Sequence, residues 1–155
     1  IRIISKTGPL DNPADRDHCL QYMTAVALLT GGLTAEDYEN DAAADPRIDR
    51  LRSLMVVEED ERFSREYHEP DKRSIANAVQ VFFSDGTATE RVAVEYPIGH
   101  RRRRQEGLAV LEDKFLRNLR TRFPEARAQR IFALCRDPEA LAQTPVPEFM
   151  EGLII

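Results

Sequence analysis

Apolar residues recur along this chain on two periods, a helical one at each end and an alternating one in the middle. Cys19, Met23, Val26 and Thr30 follow one side of a helix, widened by Leu20, Ala27 and Leu28. Asn12 as N-cap, Pro13 at the first helical position and Asp15 in the first turn predict that this helix starts near residue 12. Gly31-Gly32 ends it after Thr30. On such a helix His18 and Tyr22 are i,i+4 neighbours and share a face bordering the apolar stripe. Thr34-Ala35-Glu36-Asp37 has the form of a capping box for a short second helix. Asp45-Pro46 opens a third, with Ile48, Leu51 and Leu54 at three-residue spacing. Met55-Val56-Val57 predicts a short strand. Glu58 to Glu61 is an acidic run suited to a solvated edge or turn, and the polar stretch 62–72, which contains Pro70, predicts a loop or irregular strand.

The period changes at Ile75. Asp85-Gly86 is a two-residue hairpin signal. Centring the turn there sets Phe83 opposite Ala88, Val79 opposite Val92, Asn77 opposite Val94 and Ile75 opposite Tyr96, an apolar face interrupted by Val81 against Glu90. Gln80 with Arg91 and Phe82 with Thr89 occupy the more polar face. Pro97 to Arg104 breaks the alternation. A long helix follows with Leu108, Leu111, Phe115 and Leu119 on one side, ended by Pro124. The next, Glu125 to Arg136, buries Ala128, Ile131, Phe132 and Cys135, and Asp137-Pro138 restarts a short turn of helix. The apolar end, Phe149 to Ile155, predicts a docked strand or tail. Ile1-Arg2-Ile3-Ile4 reads as the end of a strand begun earlier, so the chain is expected to be part of a longer protein. The fold class is α+β: a small, mainly antiparallel sheet with helices packed on one face, a two-layer sandwich in one domain over residues 1–155.

Composition narrows the function. Hydrophobic residues make up 42% of 155, enough for a core. The net charge of -5 argues against a nucleic-acid partner, which needs a basic footprint. No apolar run approaches the roughly 20 residues of a membrane span. Cys19 and Cys135 lie in helical patterns and read as free thiols in a reducing cytoplasm. His18, His68 and His100 form no i,i+4 pair, and no spacing supports a metal or iron–sulfur site.

Gly8-Pro9-Leu10 and Asn12-Pro13-Ala14-Asp15-Arg16-Asp17-His18-Cys19-Leu20-Gln21-Tyr22-Met23 begin an ordered series of motifs. It continues with Leu33 to Glu39, Asp45-Pro46-Arg47-Ile48-Asp49, Lys72 to Ala78, Val94-Glu95-Tyr96-Pro97-Ile98-Gly99-His100 and the Lys114-Phe115 helix. With these motifs the sequence resembles the MmgE/PrpD family over nearly its whole length. The resemblance implies the C-terminal domain of a hydro-lyase that dehydrates 2-methylcitrate to 2-methyl-cis-aconitate in propionate catabolism, without an iron–sulfur cluster or other cofactor. It also implies a helical N-terminal domain of the same protein as partner, which carries the main catalytic residues. A homodimer is the expected assembly. Decarboxylation or epimerisation of a related polycarboxylate is the alternative chemistry, and a non-catalytic lid or dimerisation module is the alternative role for this part alone.

Dehydrating a hydroxytricarboxylate needs a base for the proton beside a carboxylate, an acid for the departing hydroxyl and cations for the carboxylates. Within the chain, Tyr22 is the candidate hydroxyl and His18 its candidate neighbour. Each also has a plain structural role open to it, as a core-border tyrosine or a locally bonded helix-start histidine. Lys6, by resemblance to the cis-aconitate decarboxylase branch, borders the pocket. His100 with Arg101 to Arg104 is the one concentration of positive charge. His100, Arg101 and Arg104 are candidate carboxylate ligands, since arginine forks match carboxylates bidentately. A solvated cap with salt bridges is the competing arrangement. The family's Gly-His is followed by a proline-containing turn in many members, whereas Arg101 and Arg102 follow here, which separates His100 from any family-wide role of the arginines.

Overall fold

The computed structural model describes residues 4–155, which fall into two compact units divided between Glu66 and Tyr67. Among the described residues there are nine α-helices and one two-stranded antiparallel sheet, an α+β fold. The strand expected at Ile1-Ile4 falls on residues outside the described part, and Ile4 itself lies in a turn.

In the first unit the expected single helix is two: α1, Pro13–Arg16, and α2, Leu20–Thr30. Asn12 caps α1 as expected, its side chain accepting from the Asp15 amide at 3.0 Å. The helix stops because the Leu20 amide bonds the Ile4 carbonyl at 2.6 Å in place of a carbonyl in its own turn, and Cys19 is extended. That bond spans sixteen residues, beyond the reach of local periodicity. The break also rotates the buried stripe, so Cys19, Tyr22, Ala25 and Val26 form the core with Ile48, while Leu28 is exposed. Gly31 ends α2 in the left-handed conformation, φ +80°, as the glycine pair predicted.

Only half of the expected capping box forms: Asp37 Oδ2 accepts from the Thr34 amide at 2.6 Å and hydroxyl at 2.9 Å, and the turn that follows has no side-chain cap. It is a single 3-10 turn, Glu36–Tyr38, followed by the short α3, Asn40–Ala43. Helix α4, Pro46–Leu54, starts at Asp45 as predicted and packs on α2 through Ile48. Met55-Val56-Val57 is not assigned to a strand among the described residues. The stretch taken for a loop or irregular strand contains α5, Glu61–His68. Asp60 caps it by accepting from the Arg62 and Phe63 amides at 3.0 and 3.3 Å, and Arg62 pairs with Glu66 one turn on at 3.1 Å.

The second unit contains the hairpin, β1 Asn77–Val79 and β2 Val92–Val94. Asn77 faces Val94 and Val79 faces Val92, as the turn-centred register required. Nearer the turn the register changes. Phe82 bridges Ala88, the Phe83 amide bonds the Thr87 carbonyl at 2.8 Å, and the Gly86 amide bonds the Phe83 carbonyl at 3.1 Å. The loop is therefore three residues, Ser84-Asp85-Gly86, with Gly86 at φ +87°. A bulge at Glu90-Arg91 absorbs the extra residue and restores the expected pairing farther out. Val79, Phe82, Phe83, Val92 and Val94 are all exposed.

Helix α6, Arg104–Arg120, is followed by α7, Glu125–Arg136, α8, Pro138–Gln143, and α9, Val146–Gly152. Leu119, Ala128 and Ile131 form the core of this unit, lined by Phe132 and Cys135, as the periodicity of α7 predicted. Leu108, Leu111 and Phe115 remain exposed. The apolar terminus lies largely in helix α9 rather than a strand, with Leu153 against the core. No described helix is long and apolar enough to cross a membrane.

Candidate functional site

The predicted site residues fall in two places, one in each unit. The first surrounds α1 and α2. Tyr22 is 2% exposed, its ring stacked on Tyr38 at 6.2 Å between centroids, and its hydroxyl donates to the Asp37 carbonyl at 2.6 Å. Burial pushes its pKa above the ordinary phenol value, so at neutral pH the hydroxyl keeps its proton. His18 does not share this face. The break at residues 17–19 sets it outside any helix, with a side chain 62% exposed and paired through Nδ1 with Asp17. That carboxylate raises the pKa of the imidazole. Lys6 pairs with Asp15 at 2.5 Å and, together with the Asp11 amide, holds the Asp15 carboxyl below the usual range. The Lys6 carbonyl accepts from the Cys19 thiol at 3.4 Å, fixing the start of α2 to this segment.

Sequence reasoning missed the group that organises this cluster. Arg16, 5% exposed, donates to the Tyr38 carbonyl at 2.6 Å, to Asn40 Oδ1 at 2.9 Å and to the Leu10 carbonyl at 3.5 Å. Every partner is a neutral oxygen, and its Nε makes no hydrogen bond among the described residues. Arg16 and Tyr22 thus grip one segment, 37–40, from two sides. The short spacing from Asp15 to Asp17 gives an arginine there the look of a solvated residue. Only the break after Arg16 turns it inward.

The second place is the junction of residues 71–75 with 96–104. His100 Nδ1 accepts from the Arg102 amide at 3.2 Å, and Nε2 lies 3.2 Å from the Arg73 carbonyl, a pattern that matches the tautomer with the proton on Nε2. Its ring packs on Tyr96 at 4.7 Å. Arg102 donates to the Asp71 carbonyl and lies over the Tyr96 ring at 5.1 Å. Arg103 bonds the Tyr96 carbonyl at 2.9 Å and pairs with Glu106 at 2.7 Å. Arg101 and Arg104 have no ion-pair partner among the described residues. Of the basic run, therefore, two arginines are spent on the fold and two are not. An open concavity of about 470 Å³ is lined by Arg73, Ile75, Pro97, Gly99, His100 and Arg101. It brings His100 and Arg101 together, adds Arg73, which the sequence did not single out, and leaves Arg104 outside. Among the described residues no group of three or more His, Cys, Asp or Glu could hold a metal ion.

Comparison with known proteins agrees over the whole length. Residues 1–137 match the MmgE/PrpD C-terminal domain. The chain is 54% identical over 155 residues to a protein of Escherichia coli K12 named 2-methylcitrate dehydratase, covering 100% of this chain and 32% of the relative. A protein of the same name from Cupriavidus necator is 55% identical over 151 residues, 97% of this chain and 31% of that one. A mitochondrial one from Yarrowia lipolytica is 57% identical over 133 residues, 86% and 26% respectively. The chain thus spans about a third of the length of the curated relatives it matches.

Proposed function

Since the chain belongs to the MmgE/PrpD family through that family's C-terminal domain, we propose that it is the C-terminal part of a 2-methylcitrate dehydratase. The reaction is loss of water from 2-methylcitrate to give 2-methyl-cis-aconitate. The observation that carries this reading is the 54% identity to a bacterial relative of that name across all 155 residues.

The chain's share of the chemistry follows from its protonation states and charges. A base elsewhere in the protein takes the proton beside a carboxylate, and the departing hydroxyl takes a proton as its C–O bond breaks. Tyr22, kept protonated by burial, is the proton donor suited to that second step. Its O–H now points to the Asp37 carbonyl, so the substrate oxygen replaces that carbonyl as acceptor. His18 lies in the turn leading into the Tyr22 helix and adjusts its field, and Lys6, paired with Asp15 in this structure, is the substrate-binding candidate of the same segment. Arg101 and Arg104, with His100 supporting the loop, hold carboxylates. The full protein includes a helical N-terminal domain, acts in the cytoplasm and assembles as a homodimer, which sedimentation of the full-length protein tests.

The deciding experiment is turnover of 2-methylcitrate, citrate and cis-aconitate by the full-length protein, with Tyr22→Phe beside it. Dehydration of 2-methylcitrate, with kcat reduced at least about tenfold in the variant, is expected for loss of a proton donor. The isolated 155 residues should show no turnover. Dehydratase activity in that piece overturns the division of labour, and unchanged kinetics in Tyr22→Phe returns the residue to a purely structural role.

A further inference from the structure

The basic run and the segment before the hairpin meet in a way that neither shows alone. Arg73 is the one non-glycine residue among those described with a positive φ, +48°. An arginine gains nothing from that conformation by itself, and side chains held there cluster where the surroundings over-determine them. The surroundings are visible. The Arg73 amide bonds the Glu69 carbonyl at 2.8 Å, closing the turn after α5. Its carbonyl faces His100 Nε2 at 3.2 Å, and Arg102 fastens the Asp71 carbonyl from the same loop. Ser74, next in sequence, is fully buried with a hydroxyl that makes no hydrogen bond among the described residues. Not all polar groups of this segment are satisfied from within.

The result is that Arg73 and Arg101, 28 residues apart, line one concavity. Neither has an ion-pair partner among the described residues, although acidic side chains outnumber basic ones, 27 to 22, in the chain. Ile75 and Pro97 supply apolar wall, and Gly99 leaves the floor without a side chain. We propose that Arg73 and Arg101 form a binding site for a small polycarboxylate, one guanidinium for each of two carboxylates, with the hydrocarbon part of the ligand against Ile75 and Pro97. His100, whose two ring nitrogens are engaged by backbone, holds Arg73 in place and does not itself bind the anion. Two arginines would also suit a phosphate. The choice of carboxylate rests on the proposed function.

The test uses full-length protein and propane-1,2,3-tricarboxylate, a tricarboxylate with no hydroxyl to lose. Its Kd is measured by calorimetry in wild type, Arg101→Gln, Arg73→Gly and the double variant, with inorganic phosphate as a second ligand and Arg117→Gln as a surface control. Arg101 is exposed in a single turn, so Arg101→Gln leaves folding intact. Arg73→Gly removes the guanidinium while relieving the backbone. The expected result is a Kd raised at least about tenfold in Arg101→Gln and in Arg73→Gly, about a hundredfold in the double variant, with KM for 2-methylcitrate rising in parallel and kcat within about twofold of wild type. Arg117→Gln should match wild type. A wild type that does not bind the tricarboxylate, binding unchanged in the variants, or a preference for phosphate each overturns the proposal. Tricarboxylate binding that the variants lose, in a protein that does not turn over 2-methylcitrate, supports the site and overturns the dehydratase reading instead.

Discussion

The segments around Tyr22 and around His100 are built from similar side chains and use them in opposite ways. Around Tyr22 an arginine, a glutamine and a phenol are turned inward. Arg16 meets three oxygens, Gln21 donates to Ser5 Oγ at 3.1 Å, and Tyr22 closes on a carbonyl. Around His100 the arginines sit on the surface, half engaged with backbone and half not, beside valines and phenylalanines that are exposed. The first region shows how polar groups enter a core: both terminal nitrogens of Arg16, the Gln21 amide and the Tyr22 hydroxyl each find an oxygen, because a buried donor without one costs about 1–3 kcal/mol, and Arg16 Nε alone of these goes without. The second shows polar and apolar groups left for something outside the chain to meet.

Four measurements can break or sharpen this contrast. The largest effect is expected from Arg16→Met, which fits the space but leaves the Tyr38 carbonyl and Asn40 without their donor. It should cost about 3 kcal/mol by urea denaturation. A loss below about 1 kcal/mol would place Arg16 with the surface arginines. Gly107→Ala in α6 comes next. A Cβ there would meet the Ile98 carbonyl oxygen at 2.5 Å. The overpacking, about 2 kcal/mol, exceeds the roughly 1 kcal/mol that alanine adds to a helix, so a net loss near 1 kcal/mol is expected. A gain in stability would show the loop before α6 to be loosely held. Phe82→Ser tests the exposed hairpin. With Phe82 75% exposed, the change should stay within about 0.5 kcal/mol in the isolated chain. A larger loss in the full-length protein alone would show that the rest of the protein covers it.

The smallest effect concerns Glu125. Its carboxylate takes both Arg120 Nε and Nη2 at 2.7 Å and accepts from Gln129, which lowers its pKa from 4.5 to about 2. A depressed carboxylate pKa adds stability that is fully present above pH 4.5 and is lost as the pH falls through about 2. The pair is exposed, so the shift is better read by NMR titration of the carboxyl carbon than by melting. Arg120→Gln should return the midpoint toward 4.5.

What the sequence made legible follows the range of the interactions. Local signals held. Asn12, Asp45 and Asp137 cap helices, Gly31 ends one, and the pairing of Asn77 with Val94 followed from centring the hairpin on Asp85-Gly86. Helix α5 was missed although Asp60 and the Arg62–Glu66 pair announce it, because Pro70 drew the polar stretch toward a loop. The break after Arg16 was not legible, since a carbonyl sixteen residues away causes it. With it went the inward arginine and the separation of His18 from Tyr22. The candidate site fared likewise. Composition found the basic run, but which arginines are free depends on backbone carbonyls at Asp71, Arg73 and Tyr96 that sequence does not place.

The bulge at Glu90-Arg91 has a consequence for how this protein behaves in concentrated solution. A two-stranded hairpin rich in valine and phenylalanine has two bare edges, and bare edges invite another strand to add on. Here the regular ladder lasts three residues per strand before the extra residue shifts it. The Thr89 hydroxyl takes the Val81 amide at 3.1 Å, and Gln80 reaches across to the Thr89 carbonyl at 3.0 Å. Both bonds run between the two strands, so side chains fill the ladder where it turns irregular and little regular edge is left to extend. The hairpin can therefore present an adhesive surface without serving as a template for fibrils.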